Sequence, residues 1–219
     1  MAAQGDIFMP NIRLEARNLG MRRGYRRLFE GLNLVLDPGR ITQLVGPNGT
    51  GKSTLIRILA GFLKADSGQV LWHGLTEEQE GHALLHYHGH REGLREALTP
   101  HENLMFSAQL LGGDVARVLT ALDRLGIPRL ADLPVQVLSA GQRRRVALAR
   151  LLVAPRPLWL LDEPLAALDV AGQALVSALL AEHAAQGGMA LVATHQPLGI
   201  ETQVLDLAVA SGLKRENAA

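Results

Sequence analysis

The stretch Gly46-Pro47-Asn48-Gly49-Thr50-Gly51-Lys52-Ser53-Thr54 decides the fold. The apolar run Ile41-Thr42-Gln43-Leu44-Val45 precedes it, and the helical pattern Leu55-Ile56-Arg57-Ile58-Leu59 follows it. Strand, glycine-rich loop and helix together make G-x-x-x-x-G-K-[ST] a phosphate site rather than an ordinary turn. Glycines let backbone N–H groups point inward and leave room for phosphate oxygens. The following helix presents free N–H groups and the positive end of its dipole. Lys52 can reach the β- and γ-phosphates, and the Ser53 hydroxyl suits Mg²⁺, a hard cation that takes oxygen ligands. The pattern therefore implies a bound nucleoside triphosphate, with residues 46–54 as its cradle.

The rest of the composition narrows the class. The chain has 219 residues, a formal net charge of +1, 47% hydrophobic residues and no cysteine. A near-neutral balance gives no electrostatic support for nucleic-acid binding. Without cysteine there are no disulfides and no thiolate metal sites, a composition that fits a reducing compartment. Residues 1–10 do not read as a signal peptide. No run reaches the roughly 18 to 20 apolar residues of a membrane-spanning helix, so a membrane role is expected to go through a partner.

Strands are expected at Leu14–Leu19, Leu32–Leu36, Gln69–Trp72, Ala83–Tyr87, Leu158–Leu161 and Met189–Ala193, besides the one at Ile41. Between about Thr99 and Leu152 the pattern turns helical. Thr99 as N-cap, Pro100 in the first turn and Glu102 three residues after the cap have capping-box spacing. Further helices are expected at Asp114–Leu125, at Gln142–Val153 and from about Gly172 to Ala185. The expected organisation is one 219-residue domain. Residues of about 1–90 and 155–210 form its α/β core, about 91–154 form a helical subdomain, and 212–219 form a frayed tail.

Two further stretches carry chemistry. Leu158-Trp159-Leu160-Leu161-Asp162-Glu163-Pro164 is an apolar strand ending in two acids. Beside a phosphate loop, Asp162 is the candidate Mg²⁺ carboxylate, and Glu163 is placed to orient or deprotonate an attacking water. Leu138-Ser139-Ala140-Gly141-Gln142 opens a helix with Ser139 as cap, a second anion-favouring helix start. One nucleotide does not need both. A head-to-tail dimer uses both, each nucleotide lying between one phosphate loop and the other subunit's Ser139 region.

The order GPNGTGKST, LSAGQ, LWLLDEP, LAALD, ATH resembles the nucleotide-binding domain of an ABC transporter over nearly the whole chain. The resemblance implies a P-loop NTPase core with an antiparallel β part and an inserted helical subdomain. It implies ATP as substrate with Mg²⁺, held by Ser53 and Asp162. It also implies catalytic roles for Glu163 and His195, with His195 at the γ-phosphate. The opposite nucleotide is contacted by Ser139, Ala140, Gly141 and Gln142, and Asp169 lies at the dimer contact. Ala140 stands where the family usually has glycine, and Arg91 stands where it usually has a loop glutamine; arginine can neither ligate a cation nor accept a hydrogen bond, so Glu92 or water is expected to take over. Tyr25 is the candidate for stacking on adenine.

The stretches 89–94, 98–104 and 194–198 are similar to the ATP-binding subunits of cytochrome c maturation (haem exporter) systems. That resemblance implies membrane partners resembling CcmB and CcmC and functional coupling to the haem chaperone CcmE. It places the chain peripherally on the cytoplasmic face of the bacterial inner membrane, as a homodimer that binds no haem and no nucleic acid. Another small ABC exporter or importer ATPase, or a soluble ABC ATPase, is the alternative. His82, His86, His88 and His90 form a cluster that is read as solvated or hydrogen-bonded histidines near a partner interface rather than as metal or haem ligands. Arg143-Arg144-Arg145 is read as a solvated helix face.

Overall fold

The computed structural model describes residues 12–210; the expectations for residues 1–10 and 212–219 lie outside them. Two sheets form. In the first, β1 (Arg13–Arg23) pairs antiparallel with β2 (Arg26–Leu36) and with β4 (Ser67–His73). In the second, five strands run parallel in the order β5 (Leu85–His88), β6 (Leu158–Asp162), β7 (Met189–Ala193), β3 (Ile41–Val45) and β8 (Gln203–Asp206). Helix α1 (Lys52–Leu59) follows β3. Helices α2 (Pro100–Leu110), α3 (Val118–Arg124) and α4 (Ala140–Val153) lie between β5 and β6 in the chain. α5 (Val170–Ala185) joins β6 to β7, and α6 (Leu207–Ala210) follows β8.

Alternation along the parallel strands sorts the core into two layers. Leu158 and Leu160 of β6 and Leu191 of β7 pack with α1 residues Leu55, Ile56 and Leu59 and with Leu14, Phe29 and Leu32 of the antiparallel sheet. Trp159, Leu161 and Val192 face the other way, onto Leu104 of α2, Leu122 of α3, Leu148 of α4 and Leu180 of α5. β6 and β7 are buried at every residue, as expected of parallel strands covered on both faces.

Several elements differ from the sequence reading, each for a local reason. β1 and β2 run to the Gly24–Tyr25 turn, because register shifts between Ala16 and Arg22 break the alternation that marks a strand. The Asp114–Leu125 segment divides: Asp114 accepts from Ala116 N (2.9 Å) and caps a 3₁₀ turn, Val115–Arg117, before α3 begins. α4 starts at Ala140, directly after the expected Ser139 cap and two residues before the expected helical span. The expected strand at Ala83 begins at Leu85, behind a 3₁₀ turn, Gly81–Leu84. β8 carries no strong apolar signal, and its first two residues are exposed. The capping box at α2 forms: Thr99 Oγ1 accepts from Glu102 N (3.1 Å), and Glu102 Oε2 accepts from Thr99 N (2.8 Å).

The arginine reading is corrected, and of the two histidine readings, solvated or hydrogen-bonded, the second holds at His86 and His88. His86 and His88 are not solvated; they sit on the covered strand β5 at 7% and 2% exposure. His86 Nε2 lies 2.6 Å from Ala154 O, and His88 Nε2 lies 2.7 Å from Arg144 Nη1. Arg144, at 4% exposure, is no surface residue either; its face of α4 meets β5 and the loop behind it. His90 is exposed, and no group of three metal-binding side chains occurs among the described residues. A third buried histidine, His183, stacks on Trp159 with ring centroids 3.9 Å apart.

Burial is the main force depressing all three titrations, to about 4 for His86, about 3 for His88 (with Arg144 adding to it) and about 4 for His183. Each is neutral in the fold and gains a proton far more easily unfolded. Their contribution to stability is therefore complete above the unfolded value of about 6.5 and is lost as pH falls toward the folded values, on the order of a few kcal/mol each. Urea unfolding midpoints are expected to drop between pH 7.5 and pH 5. His86→Gln, which keeps a donor for Ala154 O, should make that drop shallower. A midpoint independent of pH over this range would contradict the account.

Candidate nucleotide site

The site is built at the carboxyl ends of β3, β6 and β7, where loops of a parallel sheet converge. β3 ends at Val45 and residues 46–51 turn into α1. Gly51 has φ +107°, and a Cβ there would stand 3.2 Å from Leu28 Cβ and 3.3 Å from the Phe29 ring. The loop thus lies hard against β2, and only glycine fits. Thr50 braces the turn, its Oγ1 donating to Pro47 O at 2.9 Å. No side chain caps α1, so its first N–H groups are left for an anion.

Lys52 is 8% exposed. Its ammonium donates to Gly46 O (2.6 Å) and Pro47 O (3.2 Å) and meets His195 Nε2 at 3.2 Å. Lysine has only donors, so in that contact Nε2 is the acceptor. His195 follows β7, its Nε2 3.1 Å from Asn48 Oδ1 and 3.7 Å from Glu163 Oε1. Glu163 reaches this point through a left-handed backbone, φ +52°, directly after β6, with its N–H donating to Ala193 O at 2.8 Å. A non-glycine residue there stores roughly 1–3 kcal/mol of strain, a cost typical of functional turns. The fold therefore brings Glu163 and His195 to Lys52 and Asn48 of the phosphate loop, from which they are distant in sequence.

Asp162 ends β6, in register with Ala193. The residue is 4% exposed, and its carboxylate takes part in no hydrogen bond or ion pair among the described residues. An unpartnered carboxylate at the end of a buried strand beside a phosphate loop fits a hard cation. Ser53 stands on the first turn of α1, which packs against β6.

Ser139 caps α4 through a second capping box: its Oγ accepts from Gln142 N (3.2 Å), and Gln142 Oε1 accepts from Ser139 N (2.8 Å). A Cβ on Gly141 would stand 2.7 Å from Ala167 O, so glycine lets α4 abut the turn after Pro164. Ser139, Ala140, Gly141, Gln142 and Asp169 line a cavity of about 850 Å³ with the 126–130 turn, and no residue of 46–54 lines it. Asp169 caps α5, accepting from Gly172 N at 2.9 Å, and is paired with Arg145. These two partners, the backbone N–H first, hold its carboxyl below the usual range.

Tyr25 is fully exposed at the β1–β2 turn. Arg91 is exposed, whereas Glu92 is engaged within the fold: its O accepts from Arg150 Nη2 (2.6 Å), and its carboxylate lies 3.9 Å from Arg144. The sequence reading missed Arg144 because a triple arginine looks solvated. It also passed over Gln43, whose only signal is polarity inside an apolar strand.

Comparisons place this geometry. Residues 29–166 match the family model described as ABC transporter. The chain is similar to the cytochrome c biogenesis ATP-binding export protein CcmA 2 of Cupriavidus metallidurans, with 47% identity over 91% of this chain and 97% of that protein. It is likewise similar to CcmA of Yersinia pestis, with 48% identity over 85% of this chain and 87% of that one. A solved Pyrococcus furiosus structure of a candidate ABC transporter ATP-binding protein shares the fold, with a TM-score of 0.79 at 22% identity over 91% and 99% of the two chains. The chain belongs to the ABC transporter family, and within it to the group of CcmA, the cytochrome c biogenesis ATP-binding export proteins.

Proposed function

We propose that this chain is the ATP-hydrolysing, energy-coupling subunit of a membrane export complex in c-type cytochrome biogenesis, acting as a head-to-tail pair of copies. The observation that carries this reading is that His195 meets both Lys52 and Glu163 at the mouth of the phosphate loop, while Ser139 faces a separate cavity. Each half is incomplete for a triphosphate, and a second copy supplies the missing half.

In this mechanism the N–H groups of residues 46–54 and the Lys52 ammonium hold the β- and γ-phosphates. On nucleotide entry Lys52 exchanges its carbonyl partners for phosphate oxygens. Glu163 takes a proton from the water attacking in line with the γ-phosphate, and His195 orients that phosphate. Ser53 and Asp162 are the residues that would hold Mg²⁺, which supplies charge neutralisation on the phosphate oxygens when bound. Ser139 Oγ and the first N–H groups of α4 donate to the nucleotide of the opposite copy, adding fixed dipoles where charge develops. Asp169, paired with Arg145 beside that helix start, is assigned to the contact between copies.

No helix of the described residues is long and apolar enough to cross a membrane, in keeping with a peripheral subunit on the cytoplasmic face. The helical insert exposes Phe106 and Leu110, with the Arg95 guanidinium 4.3 Å over the Phe106 ring. This surface is assigned to a membrane subunit resembling CcmB or CcmC, through which ATP turnover drives haem export or release of the chaperone CcmE. Affinity purification from membranes, with identification of the co-eluting proteins, tests the assignment. Recovery of an unrelated permease would replace it with another ABC transporter.

Glu163→Gln is expected to slow hydrolysis by about 10² or more while ATP still drives dimerisation in size-exclusion chromatography; near-normal phosphate release would remove Glu163 from its role. Lys52→Ala and Ser139→Arg are each expected to be inactive alone. Mixing the two variants should restore turnover, because a hybrid dimer contains one intact composite site. Absence of recovery would contradict the head-to-tail arrangement.

A further inference from the structure

β3 is a central strand of the parallel sheet, between β7 and β8. Ile41, Thr42 and Leu44 are buried. Gln43 interrupts the apolar run with a long amide, part-buried three residues before the phosphate loop. An amide in such a strand is costly unless its polar atoms are satisfied. Gln43 Nε2 donates to Gln196 O at 3.2 Å and to Thr194 O at 3.5 Å. Both partners are acceptors, so the amide must present its nitrogen.

Those two carbonyls flank His195. In the β3–β7 ladder Gln43 stands opposite Val192, so its side chain reaches past the end of β7 to the backbone that carries the histidine. A local bond adds to this hold: Gln196 N donates to Thr194 Oγ1 at 3.1 Å, and Thr194 is fully buried. The imidazole itself is half exposed, so the backbone on either side of it, rather than close packing, sets where it lies. The strand that delivers the phosphate loop thus also braces the residue that meets Lys52.

We infer that Gln43 is a positioning residue for His195, holding its imidazole at the distance from Lys52 and Glu163 that hydrolysis needs. The inference rests on the role given to His195 above. Its test uses the chain purified together with its membrane partners and reads single-turnover hydrolysis and binding of a fluorescent ATP analogue. Gln43→Leu removes the donor at similar volume, and Gln43→Glu leaves only acceptors facing two carbonyls. Each is expected to slow hydrolysis about tenfold, as small misplacements of reacting groups do, with nucleotide affinity changed less than twofold. In a His195→Ala background, Gln43→Leu should change the rate less than twofold. Normal hydrolysis by both single variants would overturn the inference. So would a full tenfold effect of Gln43→Leu in the His195→Ala background, which would place its action elsewhere. A His195→Ala variant that hydrolyses normally would overturn the role of His195, and this inference with it. Thermal melting of Gln43→Leu distinguishes lost folding from lost positioning; if it melts early, Gln43→Glu carries the test.

Discussion

The parallel ladder β6–β7–β3 is the constraint on which the rest of the structure depends. Its register sets Asp162 opposite Ala193 and Leu44 opposite Ala193. Three strand ends therefore open at one level, and each delivers a different chemical part: the phosphate loop after β3, the acids at the end of β6, the histidine after β7. A slip of one residue would send every core side chain to the opposite face, and burial on both sides makes such a slip prohibitive. The precision of the site is thus inherited from hydrophobic packing well below it.

The same sheet explains why polar groups appear inside the fold. His86 and His88 alternate with Leu85 and Tyr87 along β5 and point toward the helical insert. There Arg144 and Arg150 of α4 hold the chain just after β5, through His88 and through Glu92 O. The helix that begins with Ser139 is consequently tied to the core by buried hydrogen bonds as well as by apolar contact. Such bonds are directional, so they fix the orientation of a helix where oily packing alone tolerates sliding.

Much of the fold was legible in the sequence. The apolar strands at Ile41, Leu158 and Met189, the Thr99 capping box and the glycine pattern of residues 46–51 are local signals, and local signals survive in a one-dimensional reading. The capping serine at residue 139 belongs to the same class. Elements with weak patterning were missed or mis-bounded. β8 has exposed residues, and β1 and β2 carry register shifts that erase alternation. Asp114 delays one helix by accepting from the Ala116 N–H and capping a 3₁₀ turn, a choice that propensity does not announce.

By itself the sequence determined the chemistry available: a lysine-bearing phosphate loop, an acid pair closing an apolar strand, a serine-capped helix. Each depends on residues adjacent in the chain. Only the tertiary structure decided which of these meet. It joined His195 to both Lys52 and Glu163, buried Arg144 and two histidines that look like surface residues, and set the amide of Gln43 on the backbone around His195. Those pairings span 32 to 153 residues of chain, and no local pattern encodes a contact that exists only because two strands lie side by side.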